Sequence, residues 1–291
     1  MSRRRTHLAL MVAPYLVGIT LLVVVPALIT FGIAFTDDDL IRAPNLIGAD
    51  NFTALAHDNV FWISLRNSLV YAFVATPLRL AGALGMALLL HRRRRGNGAA
   101  RTATYLPSVV PDVAYALLWL WLFNPLYGPI NLVLGSLHVP KPRWFSDPQP
   151  AMAVVIIMSL FQIGEGFLVL MATRQEVPEE LYELAELEGS STVTTFRRVT
   201  LPIMAPTLIL LFLRDMIFSF QATFVPALIV TKGGPPPYAT TFLPLFIYEN
   251  GFEYLRFGYA AAATLVMFVV TAVIVAVQHR LVRRWRRAFI V

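Results

Sequence analysis

The sequence predicts an all-α, polytopic membrane protein with six transmembrane helices, and three observations carry that prediction. Only 14% of the 291 residues are charged and the mean hydropathy is +0.65, whereas soluble domains carry about 25% charged residues. Leu8 to Phe35 runs 28 residues without a charge, where about 20 apolar residues suffice to cross a bilayer core. The segments between such runs alternate in basic content, as inner and outer loops do.

Apolar windows place the spans at about 8–35, 67–90, 104–123, 151–173, 203–230 and 257–277, in one transmembrane domain covering 1–291. The opening "SRRRTHLAL" leads into an apolar run far longer than the roughly 7–15 residues of a signal-peptide core, so it reads as an uncleaved first span. The outer loop that follows, "TDDDLIRAPNLIGADNFTALAHDNVFWISLR", starts acidic and carries Pro and Gly turn signals. The second span contains Arg79, and the short inner loop after it reads "HRRRRGNGAAR". Beyond the third span, Pro125, Pro129, Pro140, Pro142, Pro148 and Pro150 exclude one long helix, although "LYGPINLVLGSL" suits a short interfacial one. The fifth span contains Arg214 and Asp215, and "TKGGPPPYATT" breaks the chain after it.

With the N-terminus inside, the inner segments hold 16 basic residues (Arg3 to Arg5, Arg92 to Arg95, Arg101, Arg174, Arg197, Arg198, Arg280, Arg283, Arg284, Arg286 and Arg287). The outer loops hold five: Arg42, Lys141, Arg143, Lys232 and Arg256. That bias predicts a multi-pass protein with both termini in the cytoplasm. The net charge of +7 is therefore juxtamembrane, which topology and anionic lipid explain better than nucleic acid. With no cysteine, disulfides and thiol chemistry are excluded. His7, His57, His91, His138 and His279 are scattered without metal-ligand spacing, which argues against a membrane-embedded enzyme. No G-x-x-x-x-G-K-[ST] loop is present, so the chain has no ATPase site of its own.

One inner loop stands out. Six of the 17 acidic residues lie between Glu176 and Glu188. Pro178, Glu179 and Glu180 suit the start of a helix, Glu179, Glu183 and Glu186 share a face, and Gly189 stops it. "STVTTFRR" resumes as a second short helix capped by Ser190 or Ser191, and Leu201-Pro202 with Pro206 marks re-entry into the membrane. The prediction is a charged knob of two short helices joined at a glycine, anchored at Pro202 and Pro206. A solvated surface loop is the bland alternative.

Glu183, Ala185, Gly189 and then Val199-Thr200-Leu201-Pro202 resemble the "E-A-A … G … I-x-L-P" loop of ABC importer permeases. Leu184 departs from the usual Ala, and Glu188 replaces the usual Asp before Gly189. Arg101 to Asn131, Thr231 to Thr241 and "IYENGFEYLRFGYAAAATLV" resemble the sugar-importer branch, of the maltose, trehalose and glycerol-phosphate type, over most of residues 60 to 280. The resemblance implies a type I ABC importer permease fold in a bacterial or archaeal plasma (inner) membrane, and a sugar or sugar derivative as solute. It implies three kinds of partner beside lipid: a second, unlike permease subunit, two ATPase subunits, and an extracellular or periplasmic solute-binding protein. ATP and Mg would be bound by the ATPase partners, with no cofactor in this chain. Coupling would run through 174–202, with Glu183, Ala185, Glu188, Gly189, Phe196 and Pro202 as the contact residues.

Polar residues within spans mark a solute path or a partner. Gln162, Glu165, Asp215, Ser219, Gln221 and Thr223 are the path candidates, with Arg79, Asp112 and Arg214 at similar depth. Pairing of Arg79 or Arg214 with Glu165 or Asp215 is the structural alternative. Phe224-Val225 stands where many relatives carry Phe-Asp, so their sugar specificity does not transfer. Trp119, Trp121 and Tyr248 suit either a sugar ring or the membrane interface. An ion-coupled secondary transporter of a small polar solute is the competing class, since Glu165, Asp215 and the arginines fit proton coupling. Such carriers show internal repeats that this chain lacks.

Overall fold

A computed structural model describes residues 2–92, 94–221, 223–235 and 238–289, with side chains between 10 and 283 in those ranges. Arg93, Pro236 and Pro237, and the side chains of Arg3 to Arg5, Arg284, Arg286 and Arg287, which entered the reading above, lie outside it. The described residues are helices and connecting turns, with one isolated antiparallel bridge between Thr36 and Leu46. Among the described residues four helices are long and apolar enough to cross a membrane, or up to six if each of two bent pairs is one span. The chain forms two compact units, residues 1–62 with 246–270 and residues 63–245 with 271–291.

In the first unit, α1 (Ser2–Ile19) and α2 (Val25–Ile33) form the first span around a π-helical turn, Thr20–Val24. Pro26 has no N–H for the Leu22 carbonyl and its ring crowds that carbonyl, and the helix widens where this happens. Leu16, Leu22 and Val23 are exposed, as expected of a lipid-facing surface. The outer loop then returns through α3 (Asp50–His57). The Asn51 amide donates to the carbonyls of Ala34 and Thr36 at 2.9 and 2.8 Å, tying α3 to the end of the span. Asp58 caps the next helix through the Val60 N–H at 2.7 Å, and its other oxygen accepts the Tyr259 hydroxyl at 2.6 Å.

That helix, α4 (Asn59–Leu90), starts eight residues before the predicted span because of the Asp58 cap, and its body forms the spine of the second unit. The predicted third span is broken. It consists of α5 (Asn97–Tyr105), a 3-10 turn at Leu106–Ser108 and α6 (Asp112–Leu122), with a bend of 102°. Pro107 and Pro111 flank the break, and neither can donate a helical hydrogen bond. A short helix appears in this segment as α7 (Pro129–Ser136). The fourth span is also bent, by 42°, between α8 (Pro148–Phe161) and α9 (Gly164–Gln175). Two short helices follow, α10 (Glu180–Leu187) and α11 (Thr192–Thr195). A π-helical turn, Phe196–Thr200, then leads into α12 (Leu201–Gln221).

After α12 come α13 (Phe224–Pro226), a π turn at Ala227–Thr231 and α14 (Leu243–Tyr248). Between them Lys232, Gly233 and Gly234 all take positive φ, which ends the helix where "TKGGP" predicts a break. The last helix, α15 (Phe257–Phe289), outruns its predicted end.

Lipid tails are as apolar as leucine, so helices in a membrane associate by close packing rather than by the hydrophobic effect. The second unit shows the consequence. Ala83 and Ala87 of α4 let its backbone approach Phe167 and Leu170 of α9 and Met204 and Leu211 of α12, all buried. A second cluster sets Tyr115 and Trp119 of α6, with Phe123 at its C-cap, against Val154 and Met158 of α8, and the Tyr115 hydroxyl donates to the Met158 carbonyl at 2.6 Å. A third joins Tyr71 and Ala75 to Val155, Ala227 and Phe242. The first cluster fixes α4, α9 and α12 against one another, and the other two add α6 and α8.

Candidate functional site

The first feature is the loop between α9 and α12. Glu179 precedes α10, and Glu180 and Glu183 occupy its first turn, where carboxylates meet the positive end of the helix dipole. The helix ends at Glu188, and Gly189 takes φ +71. The Gly189 N–H donates to Glu186 O and the Ser190 N–H to Ala185 O, each at 2.9 Å, so two terminal carbonyls are satisfied around the left-handed glycine. Of the two predicted caps, Ser191 is the one used: its Oγ accepts from the Thr194 N–H at 3.3 Å.

The second short helix follows the first across the glycine, as predicted, and has no break after it. It continues through the π turn into α12, because Leu201 donates to Phe196 O and Pro202 leaves the Arg198 carbonyl without its usual donor. Thr192 to Thr231 is thereby one 40-residue span candidate, apart from Ala222, which lies outside the described residues. Pro202 and Pro206, the predicted anchor, are both exposed on α12. The Tyr182 hydroxyl and Thr200 Oγ1 hydrogen-bond at 2.9 Å, and the Arg174 guanidinium lies 4.2 Å from the centroid of the Tyr182 ring. Ala185 and Val177 are buried beside them. Around this clamp Glu183, Glu188 and Gly189 are exposed, Phe196 is half-buried, and Leu184, Leu187 and Val193 stand out to solvent. Tyr182, Arg174 and Thr200 were not among the predicted residues. The only sequence signal for them is an aromatic side chain inside an otherwise acidic helix.

The second feature is a cavity of about 310 Å³ at the bend of the fourth span. Gln162 caps α8 at the break and Glu165 sits in the first turn of α9. The Gly164 N–H donates to Ser108 Oγ at 3.0 Å, which holds the break against the other broken span. Gln162, Glu165 and Asp215 line the cavity together with Arg79, Asp112 and Arg214. Of the pairings left open between Arg79 or Arg214 and Glu165 or Asp215, two are present. Arg214 pairs with Glu165, and Arg79 lies 3.7 Å from the Asp215 carboxylate. Ser219 is buried behind this cavity, accepting from Arg79 at 2.8 Å and sharing a hydrogen bond with Thr76. Gln221 is exposed and Thr223 is buried away from the lining residues, so neither belongs to the cavity.

The aromatic candidates separate as well. Trp119 packs inside the α6–α8 cluster, Trp121 is exposed, and Tyr248 stacks on Phe252 at 5.4 Å. None of the three lines the charged cavity. Among the described residues no three His, Cys, Asp or Glu side chains are grouped as metal ligands.

The family described as "Binding-protein-dependent transport system inner membrane component" matches residues 79–287. The chain is 32% identical over 290 residues to a "Probable ABC transporter permease protein YesP" of Bacillus subtilis, covering 98% of this chain and 93% of that one. It is 28% identical over 277 residues to the "Sulfoquinovosyl glycerol transport system permease protein SmoG" of Agrobacterium fabrum, covering 94% and 89%. It is 31% identical over 239 residues to the "sn-glycerol-3-phosphate transport system permease protein UgpA" of Yersinia enterocolitica, covering 82% and 80%. Its fold is similar to that of a chain in the crystal structure of a bacterial ABC transporter that imports the acidic polysaccharide alginate. There the TM-score is 0.85 at 22% identity, covering 97% of this chain and 96% of that chain.

Proposed function

From the premise that the chain belongs to the family of binding-protein-dependent transport system inner membrane components, we propose that it lines the path of a sugar or sugar derivative into the cell. A solute-binding protein delivers the solute from outside, as the family description requires of its members. The energy comes from a separate ATPase pair, which binds ATP and Mg, and a second, unlike permease completes the pore. Both termini lie in the cytoplasm, following the basic bias of the loops.

The clamped acidic knob is the observation that carries this reading. A lever must be rigid and joined to what it moves. The bond from Tyr182 to Thr200 ties the short acidic helix to the arm that continues through α11 and the π turn into α12. Force applied at Glu183, Glu188, Gly189 and Phe196 therefore reaches α12 through Thr200 and Pro202, while Ala185, predicted as a contact, is buried and packs inside the knob. Exposed Leu184 and Leu187 offer apolar contact beside the carboxylates. At the other end of that path, α12 carries Arg214 and Asp215 into the cavity with Gln162 and Glu165. A tilt of α12 then changes the cavity without any chemistry in this chain.

The cavity suits a polyhydroxylated solute. Its carboxylates accept hydroxyl donors, its guanidinium groups and Gln162 donate, and Phe218 gives one apolar face. Ser219 acts behind it by positioning Arg79. Crosslinkers placed at Glu183 and Glu188 in native vesicles test the coupling role, and they should capture the ATPase subunit. Failure to capture any nucleotide-binding chain from both positions would remove the proposal.

A further inference from the structure

The helices α4 and α9 end at Leu90 and Gln175, beside the knob. The space there is a cavity of about 390 Å³ lined by His91, Arg92, Arg174, Gln175, Glu179 and Tyr182. Arg101 has already consumed the backbone acceptors at this helix end. Its guanidinium donates to the carbonyls of Leu90, His91 and Arg92, at 2.6 to 3.4 Å. The pocket's cationic donors are Arg92 and Arg174. Among the described residues neither Arg92 nor Arg174 has a carboxylate within ion-pair distance. Arg174 uses the face of its guanidinium on the Tyr182 ring, which leaves its N–H edge for an acceptor. Two guanidinium groups without acceptors therefore share one cavity, with Glu179 as the single carboxylate on its wall.

We propose that this pocket binds a phosphate group carrying an adjacent hydroxyl, as in an anionic glycerophospholipid headgroup. The phosphate would accept from Arg92 and Arg174 in the forked geometry that suits guanidinium. The hydroxyl would donate to Glu179. Basic pockets where spans meet the cytoplasmic surface are suited to anionic headgroups, and the position of this one at the ends of α4 and α9 matches. Occupancy would pin Arg174 on Tyr182, whose hydroxyl holds Thr200, so the ligand would stiffen the knob. That last consequence rests on the coupling role proposed above, whereas binding does not.

The full chain, purified with the subunits that remain bound, would be reconstituted in nanodiscs of phosphatidylglycerol and phosphatidylcholine mixed equally. Retained lipid would be counted by native mass spectrometry. The wild type should hold phosphatidylglycerol over phosphatidylcholine, and R92Q/R174Q should lose about tenfold of that preference. R197Q/R198Q, altered outside the pocket, should keep it and so controls for bulk charge. Glycerol phosphate added to pure phosphatidylcholine discs distinguishes the source. Arg92-dependent protection of the 174–182 backbone from hydrogen exchange there would assign the site to a soluble phosphate. Undiminished preference in R92Q/R174Q, or no binding of either probe by wild type, overturns the proposal. Intact lipid preference without ATPase crosslinks at Glu183 would instead sink the coupling role alone.

Discussion

Tyr182 and Thr200, 18 residues apart, are joined by a hydrogen bond of 2.9 Å that closes the acidic helix onto the arm leading into α12. Without it, α10 is held to that arm mainly through the turn at Gly189. Eight residues is too short for a stable isolated helix in water. The clamp therefore decides whether the knob behaves as a lever or as a loop.

Tyr182→Phe isolates the bond, since the ring under Arg174 is kept. Local stability should fall by about 1 kcal/mol, read as faster hydrogen exchange over 180–200. Uptake per ATP hydrolysed should fall, while the amount of inserted protein is unchanged. Thr200→Val should behave in the same way, and unaltered coupling in both would show that the bond transmits nothing.

Gly189 separates backbone conformation from side-chain space. A Cβ there would meet nothing within 4 Å, yet φ is +71. Gly189→Ala should cost about 1 kcal/mol of strain and leave most uptake intact. Gly189→Pro cannot adopt this φ and removes the N–H that donates to Glu186, so the turn must reorganise. The proline variant should insert normally, hydrolyse ATP with its partners, and fail to import. Normal import by this variant would count against docking at the knob.

The two ion pairs differ in burial, and that difference predicts different phenotypes. Arg79 is 10% exposed at its side chain, and Asp215 is 28% exposed. Arg214 and Glu165, at 39% and 60%, face the open cavity. Asp215→Ala leaves a buried guanidinium short of its counter-charge and should destabilise by about 3–5 kcal/mol. Glu165→Gln should cost under about 1 kcal/mol and act on solute affinity. Thermal unfolding in detergent and uptake KM, measured on both variants, check this. A stable Asp215→Ala with Glu165→Gln as the unstable one would reverse the assignment.

Much of this was legible before the fold. The long apolar runs, the break at "TKGGP", the Gly189 stop and the Ser191 cap depend on local chemistry, which a sequence displays directly. The pairing of Arg79 with Asp215 and Arg214 with Glu165 was legible as a possibility, because a charge at that depth needs a counter-charge. What could not be read was geometry set over distance. The breaks at Ser108 and Gln162 face each other through the Gly164 N–H bond, and no local signal in "FQIGEG" announces that partner. Thr223 reads as a polar span residue like Ser219, yet only Ser219 reaches the charged network. The Tyr182 clamp depends on an arm that returns past it 18 residues later.

His91 should make ligand binding in the proposed phosphate pocket stronger at lower pH. Burial, then the charges of Arg174 and Arg92, hold its imidazole below the ordinary histidine value, although the Leu88 carbonyl and Glu179 oppose the shift. Its Nδ1 lies 2.6 Å from the Leu88 carbonyl and so carries the proton, which leaves Nε2 open in the neutral ring. The groups facing it are Arg92 from the loop, Arg174 and Gln175 from α9, Glu179 before α10 and Tyr182 within it. A bound phosphate adds negative charge and raises the imidazole pKa relative to the empty pocket. The occupied state then binds more protons than the empty one, so binding strengthens as pH falls through the window between the two values. Retention of phosphatidylglycerol should be higher at about pH 6 than at about pH 8. His91→Gln, which keeps a hydrogen-bond donor for Leu88 but cannot titrate, should flatten that dependence. Equal slopes in wild type and His91→Gln would show that the imidazole does not sense the ligand.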